Sequence, residues 1–300
     1  MTKISFLDFW HNFDVNNNFF LHMMSKIKDN VVVTSPNDCD ILFFSCYGDS
    51  NNLPQFRDKY RIFYTGENLR PVFDNNTIRN YNTFTGRCDL ALSFDYEDYD
   101  GRNIRLPLWL LQIDWFEKVS YVNPKFMIPY NEIYDNRFSN KPKDKFCCMV
   151  FNSNSPHRYE ILEELSKYKQ VDCYGQPFGN WFDGEDMKLD VISNYKFNIC
   201  FENSVTKGYY TEKPIHAKVA GCVPVYWSDK SLSLDMNYDA FINLSDFGGV
   251  RELADYIIDL DNNQQKYDDI KNQRIFDDNQ DPKKLFDNIM SKMSEKIRVL

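Results

Sequence analysis

Residues 145–175 read KFCCMVFNSNSPHRYEILEELSKYKQVDCYG, and this stretch decides the fold class. Lys145 to Asn152 opens it as a short apolar run of strand length, of the kind buried on both faces of a parallel sheet. Ser155 then stands at a helix N-cap position with Pro156 at the first helical position, where its missing N–H costs nothing. The helix runs to about Tyr168, and Val171 to Gly175 is a second strand. This is one complete strand–helix–strand unit, the building block of α/β sheets.

The same texture extends in both directions. Downstream lie a helix near Met187 to Ser193, a strand from Lys196 to Glu202, a helix from about Thr211 to Ala220 with Gly221 as its stop, and a strand from Cys222 to Trp227. Helical patterns near Gly249 to Leu260 and Asp281 to Ile297 complete that half. Upstream, strands are expected near Lys3 to Phe9, Asp40 to Ser45, Tyr60 to Thr65, Asp89 to Phe94 and Arg105 to Leu110, with a helix near Phe19 to Lys28 and long, Asn-rich connections. Tyr130 to Lys145 loses apolar periodicity and gathers charge, Asn and Pro, as an interdomain linker does. The expected architecture is α/β, two Rossmann-like domains facing a cleft. Residues 1–138 form the first and 139–300 the second, the last helix being free to pack back on the first.

Composition narrows the function. With 43% hydrophobic and 16% aromatic residues, the chain has the material for two cores and is not a disordered one. Lys and Arg total 35 against 44 Asp and Glu, a net charge of -9, which excludes a chain-wide basic footprint for nucleic acid. The most apolar stretch, Leu106 to Phe116, is broken by Gln112 and Asp114, so no transmembrane segment is expected. Asp8, His11 and Asp14 fall where a signal peptide would carry its apolar core, and the expectation is a soluble, cytoplasmic protein. The eight cysteines form no Cys-x-x-Cys pair, and the four histidines have no zinc-site spacing. Free, buried thiols in a reducing compartment follow. Asp98-Tyr99-Asp100 and Asp38-Cys39-Asp40 match the Asp-x-Asp pattern of metal-dependent transferases. In so Asp-rich a chain both read as chance, as do the sequons at Asn75 and Asn243.

The densest polar cluster is in YKFNICFENSVTKGYYTEKPIHAKVAGCVPVYW, residues 195–227. Glu202, Asn203, Ser204, Thr211, Glu212 and Lys213 all fall at the carboxyl end of one strand or the amino end of the next helix. That edge of an open α/β sheet binds ligands, because helix amino termini there offer N–H groups and a dipole favourable to phosphate. Arg158, in the first turn of the helix after VFNSNSP, is placed for the same crevice. An arginine and a lysine converging from adjacent helix starts would neutralise a diphosphate leaving group. Tyr209, in the loop, is an aromatic candidate for the ligand, whereas Tyr226 and Trp227 end a buried strand and read as core.

CFENSVTKGYYTEK followed by VPVYW closely resembles the donor-binding signature of the α-1,3-fucosyltransferases, glycosyltransferase family ten. RIFYTGENLRPVF (61–73), CDLALSFDYED and IRLPLWL resemble that family's acceptor-domain core in the same order, and with VFNSNSPHR the matched blocks span most of residues 40–245. The resemblance implies the two-domain GT-B fold, with acceptor binding in the first domain and GDP-fucose binding in the second. It also implies inverting transfer of fucose to an oligosaccharide hydroxyl, α-1,3 to the GlcNAc of N-acetyllactosamine by default. Glu67 matches the family's general base, although between Gly66 and Asn68 it also fits a plain turn carboxylate. Lys213 and Arg158 match its diphosphate contacts, and Asn203, Ser204, Tyr209 and Glu212 fall in its donor site. No metal or other cofactor is required by this reading, a divalent cation being at most stimulatory. The sequence departs from the family in showing no amino-terminal anchor and no repeat-bearing or basic C-terminal tail. Ser228-Asp229 also stands where many members have glycine. The competing readings are a GT-B enzyme for another nucleotide sugar and a non-catalytic glycan-binding relative.

Overall fold

The computed structural model describes all residues except 49, 70–72, 75–76, 79–83, 118–126, 135–137, 139, 181–186 and 299–300. Arg70 to Val72 of the block at 61–73 and Asn75-Asn76 of the first sequon lie outside the described residues. The chain forms two compact units, Met1–Met127 with Pro282–Leu300, and Ile128–Asp281.

The first unit is built on β1 (Thr2–Leu7), β2 (Val31–Val33), β3 (Ile41–Phe44), β4 (Tyr60–Tyr64), β7 (Leu90–Ser93) and β8 (Asn103–Arg105), in the order β2-β1-β3-β4-β7-β8 with every pair parallel. Two-residue strands β5 (Phe73–Asp74) and β6 (Thr77–Ile78) form a separate antiparallel pair, and β9 is Ile113–Asp114. Strand β3 is buried throughout, as a central parallel strand must be. Helix α1 (Phe19–Ile27) starts at Asn18, whose side chain accepts from the Leu21 N–H at 2.9 Å, and buries Phe19, Phe20, Met23 and Met24 on one face. The closing helix α7 (Pro282–Arg298) also belongs here: Phe286 stacks on Trp115 at 4.5 Å and meets Phe19 and Phe116 edge-on.

The second unit carries β10 (Ile128–Pro129) and a sheet of β11 (Lys145–Val150), β12 (Val171–Tyr174), β13 (Tyr195–Ile199), β14 (Val223–Tyr226) and β15 (Ile242–Asn243). Its order is β12-β11-β13-β14-β15, again all parallel. The helices are α2 (Pro156–Ser166), α3 (Met187–Ile192), α4 (Lys213–Val219), α5 (Val250–Asn262) and α6 (Gln264–Lys271). Helix α5 lays Val250, Leu253, Ala254, Ile257 and Leu260 against Phe197, Ile199, Val223 and Val225 of the sheet. Each large side chain buried this way contributes about 1.5–3 kcal/mol. Gly221 does stop α4: its φ of 73° is left-handed, and a Cβ there would meet the Phe138 carbonyl and Lys143 Nζ at 3.0 Å.

Four expectations need correction. The stretch Arg105 to Leu110 is not a strand: β8 ends at Arg105, and Leu108–Gln112 is a 3-10 turn. Pro107, lacking an N–H, cannot extend the ladder and instead precedes the turn. Helix α4 starts at Lys213 rather than Thr211, whose N–H donates to a glutamate side chain just ahead of the helix. Ser155 does stand at the N-cap of α2 with Pro156 next, as expected, its carbonyl rather than its hydroxyl taking a first-turn N–H, that of Arg158. The stretch read as a linker belongs to the second unit, where Lys141 and Lys143 fasten it to Ser193 and Ala220. The unit boundary therefore falls at Met127/Ile128 rather than 138/139. Strand β2 and helix α6 were not expected, the first being three residues long and the second highly polar.

Candidate functional site

At the carboxyl end of β13 the chain continues through Phe201 and Glu202, and both anchor cations. Arg158 is 2% exposed. Its Nη1 donates to the Ser153 carbonyl at 2.7 Å and to Ser153 Oγ at 3.0 Å, and its Nη2 donates to the Phe201 carbonyl. The guanidinium thus braces the loop after β11 to the end of β13, and burial lowers its pKa. Ser153 Oγ in turn donates to Asn203 Oδ1 at 2.8 Å, which places the exposed Asn203 beside this brace.

Glu202 is the hub. It is 1% exposed and accepts from the Thr211 N–H at 3.0 Å, Thr211 Oγ1 at 2.6 Å, Lys213 Nζ at 3.0 Å and the Tyr226 hydroxyl. Four donors satisfy a carboxylate that would otherwise be costly to bury. Lys213 also reaches Thr211 Oγ1 at 2.8 Å and approaches Glu212 at 3.8 Å. Burial works against the Lys213 charge, but Glu202 and Glu212 outweigh it and raise its pKa. Burial likewise works against the Glu212 charge, and Lys213, Lys188 and His216 outweigh it, holding Glu212 at about 2. Lys188, on α3, donates from Nζ to His216 Nδ1 at 3.0 Å. Because an ammonium only donates, this ring nitrogen must accept, so His216 is neutral there. Burial and the Lys188 charge agree, pushing its pKa down to about 3.

Arg158, Lys188 and Lys213 carry three positive charges here and Glu202 and Glu212 two negative ones. The cluster holds one positive charge in excess, which suits it to receive an anion.

The structure therefore brings Arg158, Asn203, Glu212 and Lys213 to one sheet edge. Tyr209 is there too, 5% exposed, with its N–H on the Thr206 carbonyl, and it lies within electrostatic reach of Arg158, whose pKa burial lowers overall. Ser204 is half-buried in the same loop. Tyr226 is fully buried as expected, yet its hydroxyl serves Glu202. Sequence reasoning missed Glu202 as the hub, and Lys188 and His216 altogether. The one available signal was His216 lying three positions after Lys213, on the same face of α4. Ser228, 1% exposed, is held by Asn243 Oδ1 on its N–H at 3.2 Å and Nδ2 on its Oγ at 3.1 Å. Asp229 accepts from the Tyr210 hydroxyl.

Glu67 belongs to the first unit. It follows β4 and lines a cavity of about 230 Å³ with Trp10, Tyr47, Tyr64, Leu108, Leu111 and Gln112. Its N–H donates to Thr65 Oγ1 at 3.0 Å and its Oε1 accepts from the Tyr47 hydroxyl at 3.1 Å. A Cβ at Gly66 would meet Leu108 Cδ1 at 2.7 Å, so a side chain there would require Leu108 to shift. An exposed carboxylate at the mouth of an aromatic-walled cavity of this size has the chemistry to take a proton from a hydroxyl lying on an aromatic face.

The Asp-x-Asp pairs serve local structure. Asp98 Oδ1 accepts from the Asp100 N–H at 3.2 Å, Asp38 Oδ2 from Ser35 Oγ at 2.7 Å, and Asp40 Oδ2 from the Lys3 N–H at 3.0 Å. Among the described residues no group of three His, Cys, Asp or Glu is placed to hold a metal ion. No helix among them is long and apolar enough to cross a membrane. All eight cysteines are free thiols.

Comparison with known proteins gives concordant matches for both halves. Residues 139–274 match the model of the glycosyltransferase family 10 (fucosyltransferase) C-terminal region, and residues 4–112 that of the α-(1,3)-fucosyltransferase FucT N-terminal domain. The α-(1,3)-fucosyltransferase FucT of Helicobacter pylori is 27% identical over 293 residues, covering 89% of this chain but 59% of that protein. The mouse 4-galactosyl-N-acetylglucosaminide 3-α-L-fucosyltransferase 9 is 37% identical over 130 residues, 42% of this chain and 36% of its own length. A crystal structure of an α1,3-fucosyltransferase with GDP-fucose superposes with a TM-score of 0.66 at 23% identity, over 96% of this chain and 90% of that one. The shared fold is GT-B.

Proposed function

The chain belongs to glycosyltransferase family 10, the fucosyltransferases, and from that premise we propose that it transfers L-fucose from GDP-fucose to a hydroxyl of an oligosaccharide. The default acceptor is the GlcNAc of N-acetyllactosamine, in α-1,3 linkage and with inversion at the anomeric carbon. The observation that carries this reading is the Glu202 hub. It fixes Lys213 beside Glu212 at the sheet edge, next to Arg158 and the exposed Asn203, and the cluster has one positive charge in excess.

In this reading Lys213 neutralises the diphosphate as the glycosidic bond breaks, and Arg158 acts mainly by fixing the loop through which the donor is gripped. Glu212, held ionised, is suited to hydrogen-bond sugar or ribose hydroxyls rather than to donate a proton. Asn203, Ser204 and Tyr209 complete the donor site. Glu67 takes the proton of the acceptor hydroxyl as that oxygen attacks the anomeric carbon from the face opposite GDP, which inverts the configuration. The Tyr47 hydrogen bond leaves the other carboxylate oxygen, Oε2, to do so.

The test is transfer from GDP-fucose to N-acetyllactosamine by the wild type and by Glu67→Gln, with linkage and anomeric configuration read by NMR. Transfer should fall ~10²–10⁴-fold in the variant, the worth of a general base, while GDP affinity stays within about twofold. Equal activity would remove Glu67 from that role. GDP binding without transfer by the wild type would leave the donor site and reject the acceptor. Competition by UDP rather than GDP would reject the donor.

A further inference from the structure

The second sheet has an opposite end, and cations gather there as well. Near the amino ends of β11 and β13, a cavity of about 380 Å³ is walled by Lys141, Lys143, Lys196, Lys271, Gln264 and Tyr267. A second cavity, of about 160 Å³, shares Lys271 and adds Lys218 and Arg274. Carboxylates outnumber cations 44 to 35 in the chain, yet all six charged side chains on these walls are cationic.

Most of their hydrogen bonds go to neutral acceptors. Lys141 Nζ donates to the Asp190 carbonyl and Ser193 Oγ, and Lys143 Nζ to the Ser193 and Ala220 carbonyls. Lys218 Nζ is spread over the Ala240, Ile270 and Lys271 carbonyls. Among the described residues the one carboxylate bound to any of the six is Asp261, on Lys196, and Lys169 shares it. The carboxyl ends of α3, α4 and α6 add roughly half a negative charge each at most. With Lys218 about half protonated at neutral pH and Asp281 acting on Tyr134 beside Arg274, the walls remain roughly two charges positive. The strain shows in the lysines: burial lowers the pKa of Lys143, with Lys271 and Lys141 adding to it, and burial with Lys271 brings Lys218 to about 7.

Buried like charges without counter-ions are costly, and a multiply charged anion would relieve them. Lysines are point-charge partners suited to phosphate. Tyr267, the aromatic wall of the larger cavity, is 2% exposed and offers no platform for a base, whereas the exposed Tyr134 lines the smaller one. We propose that these two cavities form a binding site for a small oligophosphate anion, separate from the donor site at the other end of the same strands and independent of the activity proposed above.

The probe is inorganic tripolyphosphate, titrated calorimetrically into the whole chain at low ionic strength, with folding of each variant checked by circular dichroism. Saturable binding is expected, weakened at least fivefold by Lys271→Gln or by Arg274→Gln and changed less than twofold by Lys213→Gln. Absence of saturable binding to the wild type overturns the proposal, as does heat matched by sodium chloride of equal ionic strength. So does a loss in Lys213→Gln larger than that in Lys271→Gln, which would put the anion in the donor site. Arg274 lies on an exposed segment, so its variant keeps the test valid should Lys271→Gln fail to fold.

Discussion

The Glu202 hub and the Glu67 cavity assign polar side chains to opposite tasks. Glu202 is buried and fully engaged, its charge spent on holding other groups in place. Glu67 is exposed, with the Tyr47 hydroxyl as its side-chain donor among the described residues and aromatic walls around it. The difference teaches that a carboxylate's chemistry follows from how many donors already occupy it. A saturated one orients its neighbours; a half-used one can still accept a proton.

That contrast can be broken most severely at the hub. Glu202→Ala leaves the Lys213 charge buried beside orphaned Thr211 and Tyr226 donors, and should cost about 3–5 kcal/mol of stability, read as a shift in the urea midpoint at unchanged slope. Acid should act on the same cluster. His216 has its pKa depressed to about 3, so protonation is disfavoured in the folded state and favoured in the unfolded one. Stability should therefore fall as pH drops through 6.5, by up to about 1.4 kcal/mol per pH unit. Glu212, depressed to about 2, adds a loss in the same direction below pH 4.5. Urea midpoints at pH 7, 5.5 and 4.5 test the sign, and His216→Gln should flatten the upper part of the curve. At the ligand-facing side of the hub, Lys213→Ala should weaken GDP binding by ~1.5–3 kcal/mol in calorimetric titration. The smallest effect belongs to the cavity: Tyr47→Phe removes one hydrogen bond from Glu67, and a slowing of transfer worth about 0.5–1.5 kcal/mol, without change in GDP affinity, would sharpen the division of tasks.

Legibility followed the same divide. Strands β11 to β14 and helices α2 to α5 were readable because buried parallel strands and amphipathic helices alternate there with short connections. Lys213, Glu212 and Arg158 were readable because strand and helix ends are where that alternation changes. Lys188 was not, since its partner His216 lies 28 residues away and only the packing of α3 on α4 brings them together. The Glu67 cavity was not either: Trp10, Tyr47 and Leu108 come from three separate loops, whose meeting is a tertiary event that no local period records. The misread strand after Arg105 shows the limit of composition, because an apolar run was weighed and the single proline inside it decided the outcome.

The position of α7 bears on the order in which the molecule can be made. Its Phe286 completes the aromatic contacts of Phe19 and Trp115, yet residues 128–281 intervene between that helix and the rest of its unit. On the ribosome the second unit is therefore complete while the first still lacks its final wall. The half that is synthesised first is the half that finishes last, and until then Phe19, Trp115 and Phe116 remain an uncovered apolar surface on the nascent chain.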